Sequence, residues 1–181
     1  MAYLILGLLL WIAAHLFKRV TPDLRARLGN AGKGAVALGV LAGLVLMVLG
    51  YRQAEFVNVW FPPAWTVHLN NLMMLGAVFL YGMSATKGRL RGAMRHPQLT
   101  AVKVWAVAHL LVNGDLASLV LFGGLLGWAV LEVVMINRAE DWVRPAPGEA
   151  RKDILLVVIT LVMFAAIAVI HIWLGVWPFP G

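Results

Sequence analysis

LTAVKVWAVAHLLVNGDLASLVLFGGLLGWAVLEVVMI, residues 99–136, is the stretch whose reading decides the fold. Two apolar runs, Leu99–Asn113 and Leu116–Ile136, are separated only by Asn113-Gly114-Asp115, a turn signal. Together they read as a tight helical hairpin. Four further apolar runs flank it, at roughly Ala2–Phe17, Ala35–Gly50, Val67–Thr86 and Ile154–Val176. A membrane-spanning helix needs about 20 residues at about 1.5 Å rise each. Three of the six runs are short of this, and helices that begin in the flanking loops extend them. The expectation is an all-α, polytopic membrane helical bundle with about six transmembrane helices, forming a single domain over residues 1–181.

Composition agrees. Of 181 residues, 62% are apolar and 13% charged, against about 25% charged in soluble domains. No cysteine is present, which excludes disulfides, thiolate zinc sites and iron–sulfur clusters. The net charge of +7 sits in loops between apolar runs, so it points to orientation in a membrane and not to nucleic acid. The N-terminus turns apolar at once, without a basic segment or a convincing cleavage site, and reads as a retained helix.

The basic residues alternate from one connection to the next. The first holds Lys18, Arg19, Arg25, Arg27 and Lys33, the third Lys87, Arg89, Arg91 and Arg95, and the fifth Arg138, Arg144, Arg151 and Lys152. The second has only Arg52; the fourth and the C-terminal tail have none. Odd connections are therefore expected in the cytoplasm and both termini in the periplasm of a bacterial inner (cytoplasmic) membrane. Trp60, Trp65, Trp173 and Trp177 all fall on the expected outer side, as an aromatic belt does. Gly39 with Gly43, and Gly123 with Gly127, are small-xxx-small steps that let helices approach closely.

Five histidines carry the candidate chemistry: His15, His68, His96, His109 and His171. His15 and His109 end the same phrase, W-x-x-A-H-L, from Trp11 to Leu16 and from Trp105 to Leu110. Trp and His four apart share a helix face, and the small Ala before each His leaves room for a flat ligand. Two such histidines on facing helices could ligate a haem iron from both sides; they could equally hydrogen-bond neighbouring helices. Depth is awkward. His15 is three residues, roughly 4.5 Å, from Lys18, and His109 is ten residues, roughly 15 Å, from Leu99. If Lys103 snorkels to the inner boundary, His109 is only six residues, roughly 9 Å, inside, and Asn113 and Asp115 lie buried in protein below the outer surface. Lys103 would then suit a haem propionate.

His68 and His171 fall near outer helix ends beside Trp65 and Trp173 and read as interfacial, although either could replace His15 as partner to His109. His96 precedes Pro97, which suits the first turn of a helix. Asp115 fits an N-cap. Glu132 is expected to pair with Lys103 or a loop Arg. Residues 137–153 read as a solvated loop.

Arg95-His96-Pro97-Gln98, the run from Trp105 to Ser118 and Leu121-Phe122-Gly123-Gly124 resemble the NnrU family of bacterial membrane proteins. His15, Leu28-Gly29 and Pro62-Pro63-Ala64-Trp65 fit the same family, and the resemblance weakens only after residue 140. It implies a link to denitrification and nitric oxide metabolism. The plant zeta-carotene isomerase shares the superfamily. It is a haem b protein with two histidine ligands that isomerises a cis double bond through ligand switching. Its R-H-P-Q motif matches Arg95 to Gln98, and its ligands look like counterparts of His15 and His109. Its alternative cysteine ligand falls where this chain has Ala106, which puts the switching chemistry in doubt. The resemblance therefore implies haem b held by His15 and His109, with Trp11, Trp105, Lys103, Arg95 and His96 around it.

Four functions compete on this reading. One is a haem protein that binds, senses or transforms a small molecule such as nitric oxide. Another is a haem-dependent isomerase of a lipophilic polyene. A third is a methyltransferase, suggested by Arg95-His96-Pro97 and Glu140-Asp141 but lacking other cofactor-binding elements. The last is a non-enzymatic membrane factor supporting a respiratory reductase.

Overall fold

A computed structural model describes residues 1–179 of the chain. Seven α-helices run in the order α1 (Ala2–Val20), α2 (Pro22–Arg27), α3 (Gly29–Arg52), α4 (Thr66–Thr86), α5 (Pro97–Leu110), α6 (Leu116–Ala139) and α7 (Ala150–Trp173). A short 3-10 turn, Arg89–Gly92, lies between α4 and α5. The six long helices match the six apolar runs. The sequence reading omits α2 and the 3-10 turn, and α6 runs on to Ala139, into the segment expected to be loop.

Four helices, α1, α3, α6 and α7, are long and apolar enough to cross a membrane, which makes this a multi-pass membrane protein. The expectation of six such spans goes further. With 14 residues, α5 is about 21 Å long, short of a hydrocarbon core of about 30 Å. α4 has 21 residues, but His68, Asn70 and Asn71 interrupt its apolar surface near the N-terminal end.

Local chemistry sets the helix ends. Pro22 and Pro97 occupy first turns, where a missing N–H costs nothing. Lys87 closes α4 in the left-handed region. Asp115 caps α6 as expected, with its Oδ1 accepting from Ser118 N at 2.9 Å. Asp153 accepts from the amides of Arg89 and Leu90, tying the 3-10 turn to the first turn of α7.

Neighbouring helices follow one another as α3–α1–α6–α5–α4–α7. α1 and α5 share no contact, because α6 stands between them. α7 touches α4 and the 3-10 turn but neither α5 nor α6. Glycine brings α1 and α3 together: a Cβ on Gly50 would lie 2.2 Å from Leu4 N, and one on Gly7 2.6 Å from Met47 N. Gly39 and Gly43 face α1 as expected. Gly123 and Gly127 do not serve as a packing step, since a Cβ at either meets nothing within 4 Å; Gly124 is the residue that meets α1, against Leu8. Large apolar side chains such as Leu38, Leu41, Val158 and Val162 face outward, as lipid-facing positions do.

The α5–α6 turn lies inside protein. Gly114 and Asp115 are buried and Asn113 half-buried. The loop before α4 covers them: Val59 N and Trp60 N donate to Gly114 O, and Leu116 N donates to Val57 O. A side chain at Gly114 would place its Cβ 1.9 Å from Trp60 O, so only glycine fits.

Candidate functional site

Because α7 packs on α4 and the 3-10 turn but not on α5 or α6, a cavity of about 730 Å³ remains between α7 and the α4–α5–α6 layer. Cofactor and small-molecule sites span roughly 300–1,000 Å³. The wall is mostly apolar, with polar groups contributed by Tyr51, Tyr81, three asparagines (Asn70, Asn71 and Asn113), His109 and His171. The cavity is bounded at its mouth by the tail after α7, where Asn71 Nδ2 donates to Pro178 O at 3.0 Å.

His109 reaches this cavity from the last turn of α5, and His171 from the last turn of α7. Each ring is fixed in the same manner. His109 Nδ1 donates to Trp105 O at 2.9 Å and His171 Nδ1 donates to Ile167 O at 2.8 Å. A carbonyl only accepts, so in the neutral ring Nδ1 carries the proton and Nε2 keeps its lone pair. That is the tautomer a metal requires, with the ring oriented by its second nitrogen. Phe122 packs on the His109 ring from α6, and Trp105 stands beside both. Tyr51 OH and Ser118 Oγ lie 2.8 Å apart, and Ser118 Oγ donates to Asp115 Oδ2, which ties Tyr51 to the α6 cap.

His15 repeats the local geometry of His109, with Nδ1 donating to Trp11 O at 2.9 Å. The W-x-x-A-H-L phrase thus produces one arrangement twice. The two copies do not meet. His15 contacts Trp128 and His109 contacts Phe122, six residues or about 9 Å apart along α6 and roughly 240° round it. His15 and Trp11 are not among the cavity-lining residues, whereas Trp105 is.

The other expected site residues lie elsewhere. Arg95 donates to the carbonyl oxygens of Ile136 and Glu140, and His96 Nε2 pairs with Asn137 Oδ1 at 2.8 Å, so both hold the C-terminal end of α6. Lys103 is half-buried on α5 and does not line the cavity. Glu132 does not pair with Lys103; its partner is Arg19, one of the arginines expected in the first connection, which the structure places in the last turn of α1, Nε to Oε1 at 3.7 Å. Arg19 also donates to the Glu140 carboxylate, and that hydrogen bond, with the charge behind it, holds Glu140 below the usual carboxylate range. His68 is exposed. Ala106 is fully buried and does not line the cavity.

Asn70 and Asn71 escaped the sequence reading. Their signal was present, since two adjacent amides in an apolar helix are costly in lipid and face a polar interior. Asn70 Oδ1 is buried with no partner within the described residues. The cavity therefore holds a free acceptor and two oriented imidazoles. A flat, mostly apolar cofactor with an axially ligated metal fits that donor set. Among the described residues there is no cluster of three or more acidic, histidine or cysteine side chains for a bare metal ion.

No curated protein and no solved structure matches the chain. The family model described as NnrU protein matches residues 3–178, nearly the whole sequence, and the chain belongs to the NnrU family.

Proposed function

We propose that this protein is a haem b-binding membrane protein whose iron is held in the cavity by His109 and His171. The observation that carries this reading is that these two histidines line one cavity of about 730 Å³, each with Nδ1 tied to its own helix and Nε2 left as a lone-pair donor. Of the partners weighed for His109, His171 shares its cavity, while His15 and His68 do not. Trp105 and Phe122 form an aromatic wall, and Asn70 and Tyr51 offer polar contacts to the cofactor edge. Bound there, haem would supply a redox-active iron able to bind a diatomic such as nitric oxide. In this reading all six long helices lie in the bilayer, α4 and α5 being sheltered by their neighbours, and both termini are periplasmic in a bacterial inner membrane.

A visible spectrum of the haem-supplemented protein tests it. A Soret band is expected in the wild type and in His15→Ala, with its ligand-sensitive features altered in His109→Ala and in His171→Ala. Absence of a Soret band in the wild type ends the reading, and loss of bis-His features in His15→Ala alone returns the site to α1.

A second reading, isomerisation of a lipophilic polyene, draws support from the missing contact between α7 and the α5–α6 pair, which leaves the cavity a route toward lipid. The burial of Ala106 away from the cavity counts against ligand switching at that position. Unchanged isomer ratios after incubation with cis-polyenes would remove it.

A further inference from the structure

The connection from α1 to α3 is a helix that the rest of the bundle leaves uncovered. α1 has 19 residues, about 28 Å of helix against a hydrocarbon core of about 30 Å, so α2 begins where the core ends. α2 touches only α1 and α3 and buries none of its residues. At six residues it is too short to persist as a helix on its own in water. Leu24 and Leu28 are 48% and 42% exposed. Leu28 continues the helical backbone, its N–H donating to Leu24 O at 3.1 Å. At about 100° per residue, the two leucines lie about 40° apart on one edge, with Arg27 about 60° beyond Leu24 and Arg25 about 60° beyond Leu28. Pro22 and Ala26 take the opposite side. An apolar edge flanked by arginine on both sides is the pattern of a helix lying in the plane of a membrane surface.

Charge at this elbow is one-sided. Residues 18–33 hold Lys18, Arg19, Arg25, Arg27 and Lys33 against the single acid Asp23. Arg19 is engaged with Glu132 and Glu140, and Arg25 Nη1 donates to Gly29 O at 3.0 Å. Lys18 on α1, Arg27 on α2 and Lys33 on α3 are exposed and take part in no ion pair among the described residues. The Arg19–Glu140 pair also brings the segment after α6 to this end of the bundle, where Trp142 and Val143 are exposed. Tryptophan at that level suits the headgroup region.

We propose that α2 is an interfacial helix that binds anionic phospholipid. Leu24 and Leu28 enter the acyl boundary, and Lys18, Arg27 and Lys33, one from each helix of the elbow, face the headgroup phosphates. The apolar edge alone would accept any lipid. The three free cations select an anionic one, because each basic residue near such a surface favours it by about fivefold. Long basic side chains reach from the boundary to the phosphate level while their stems stay in apolar surroundings.

The chain has no cysteine, so one introduced cysteine carries one label. The test places a fluorophore on Leu24→Cys or on Ala26→Cys in the full chain, in vesicles of phosphatidylcholine and phosphatidylglycerol. Bromine is carried on the acyl chains of one lipid or the other. Acyl-chain bromine is expected to quench the Leu24 label, and aqueous iodide the Ala26 label. Brominated phosphatidylglycerol is expected to quench the Leu24 label as though enriched about fivefold over phosphatidylcholine at equal mole fraction. Lys18→Gln, Arg27→Gln and Lys33→Gln together should bring the two lipids to parity with the Leu24 label still shielded from iodide. Equal quenching by the two brominated lipids in the chain with all three cations overturns the proposal, as does an enrichment that survives their removal. Iodide reaching both labels alike overturns it, since the leucine edge would then lie in water. A Leu24 label protected from bromine and iodide alike assigns the surface to a protein partner and overturns it too. None of these outcomes depends on haem.

Discussion

The His109 and Phe122 rings lie against one another, with centroids 4.6 Å apart and planes inclined by 31°. Phe122 is buried and also meets Trp105 and Tyr51 edge-on, so one α6 side chain supports three groups that line the cavity. Phe122→Ala removes that support and leaves a void beside the imidazole. A large-to-small change at such a site costs about 3 kcal/mol. A fall in melting temperature is expected, together with a broadened signal for the His109 ring by NMR. An unshifted melting curve would mean that Phe122 is dispensable to the wall.

Gly50 and Gly127 make a contrasting pair. A Cβ at Gly50 would meet the Leu4 backbone at 2.2 Å, while at Gly127 it would meet nothing within 4 Å. Backbone cannot move aside as a flexible side chain does, so Gly50→Ala must separate α1 from α3 and lose the close packing that holds helices together in lipid. Gly127→Ala is expected to be neutral, or to stabilise by up to about 1 kcal/mol through helix propensity. Thermal unfolding in detergent, run on both variants, checks the direction of each.

These glycines show where the sequence was legible and where it was not. Spacing placed Gly39 and Gly43 against α1 correctly and gave Gly123 and Gly127 a packing role they do not have. A small-xxx-small step marks one face of a helix but does not say which neighbour covers it. The six apolar runs became the six long helices because backbone amides in an apolar stretch find their partners only within a helix. The cap at Asp115 and the start at Pro97 were also readable, since both depend on neighbouring residues alone. The rotation of α7 was not readable. A helix apolar on every side carries no stripe to fix which face turns inward, so His171 read as interfacial although it lines the cavity. His15 and His109 share a phrase and a local geometry, and only the interposition of α6 separates them.

Glu140 links stability to pH at the basic end of the bundle. The hydrogen bond from Arg19, then the Arg19 charge, lower its pKa from an ordinary value of 4.5. A carboxylate with a depressed folded-state pKa contributes stability above its unfolded pKa and loses it as pH falls through the folded value. The contribution is therefore present at neutral pH and disappears below the ordinary carboxylate range. Glu140→Gln is expected to reduce the difference in melting temperature between neutral and acidic solution. Because the group is exposed, added salt should reduce the wild-type difference as well. A variant with the same pH dependence as the wild type would remove Glu140 as a source of acid sensitivity.

The tail after α7 is held over the cavity by few contacts. Gly175 turns the chain at a φ of +84°, Val176 N donates to His171 O at 2.9 Å, and Asn71 Nδ2 donates to Pro178 O at 3.0 Å. Only the last joins the tail to α4, so Asn71→Ala should release it while leaving α7 in place. A hydrogen bond of this kind contributes about 1 kcal/mol, which corresponds to about fivefold in a local opening equilibrium. Hydrogen exchange at the Trp177 and Phe179 amides is expected to accelerate by about that factor, with the α7 amides before Ile167 unchanged. Equal rates in variant and wild type would show that the tail is secured by Trp177 and Phe179 packing in the cavity mouth rather than by the amide. Acceleration along all of α7 would mean that the latch and the helix open as one unit.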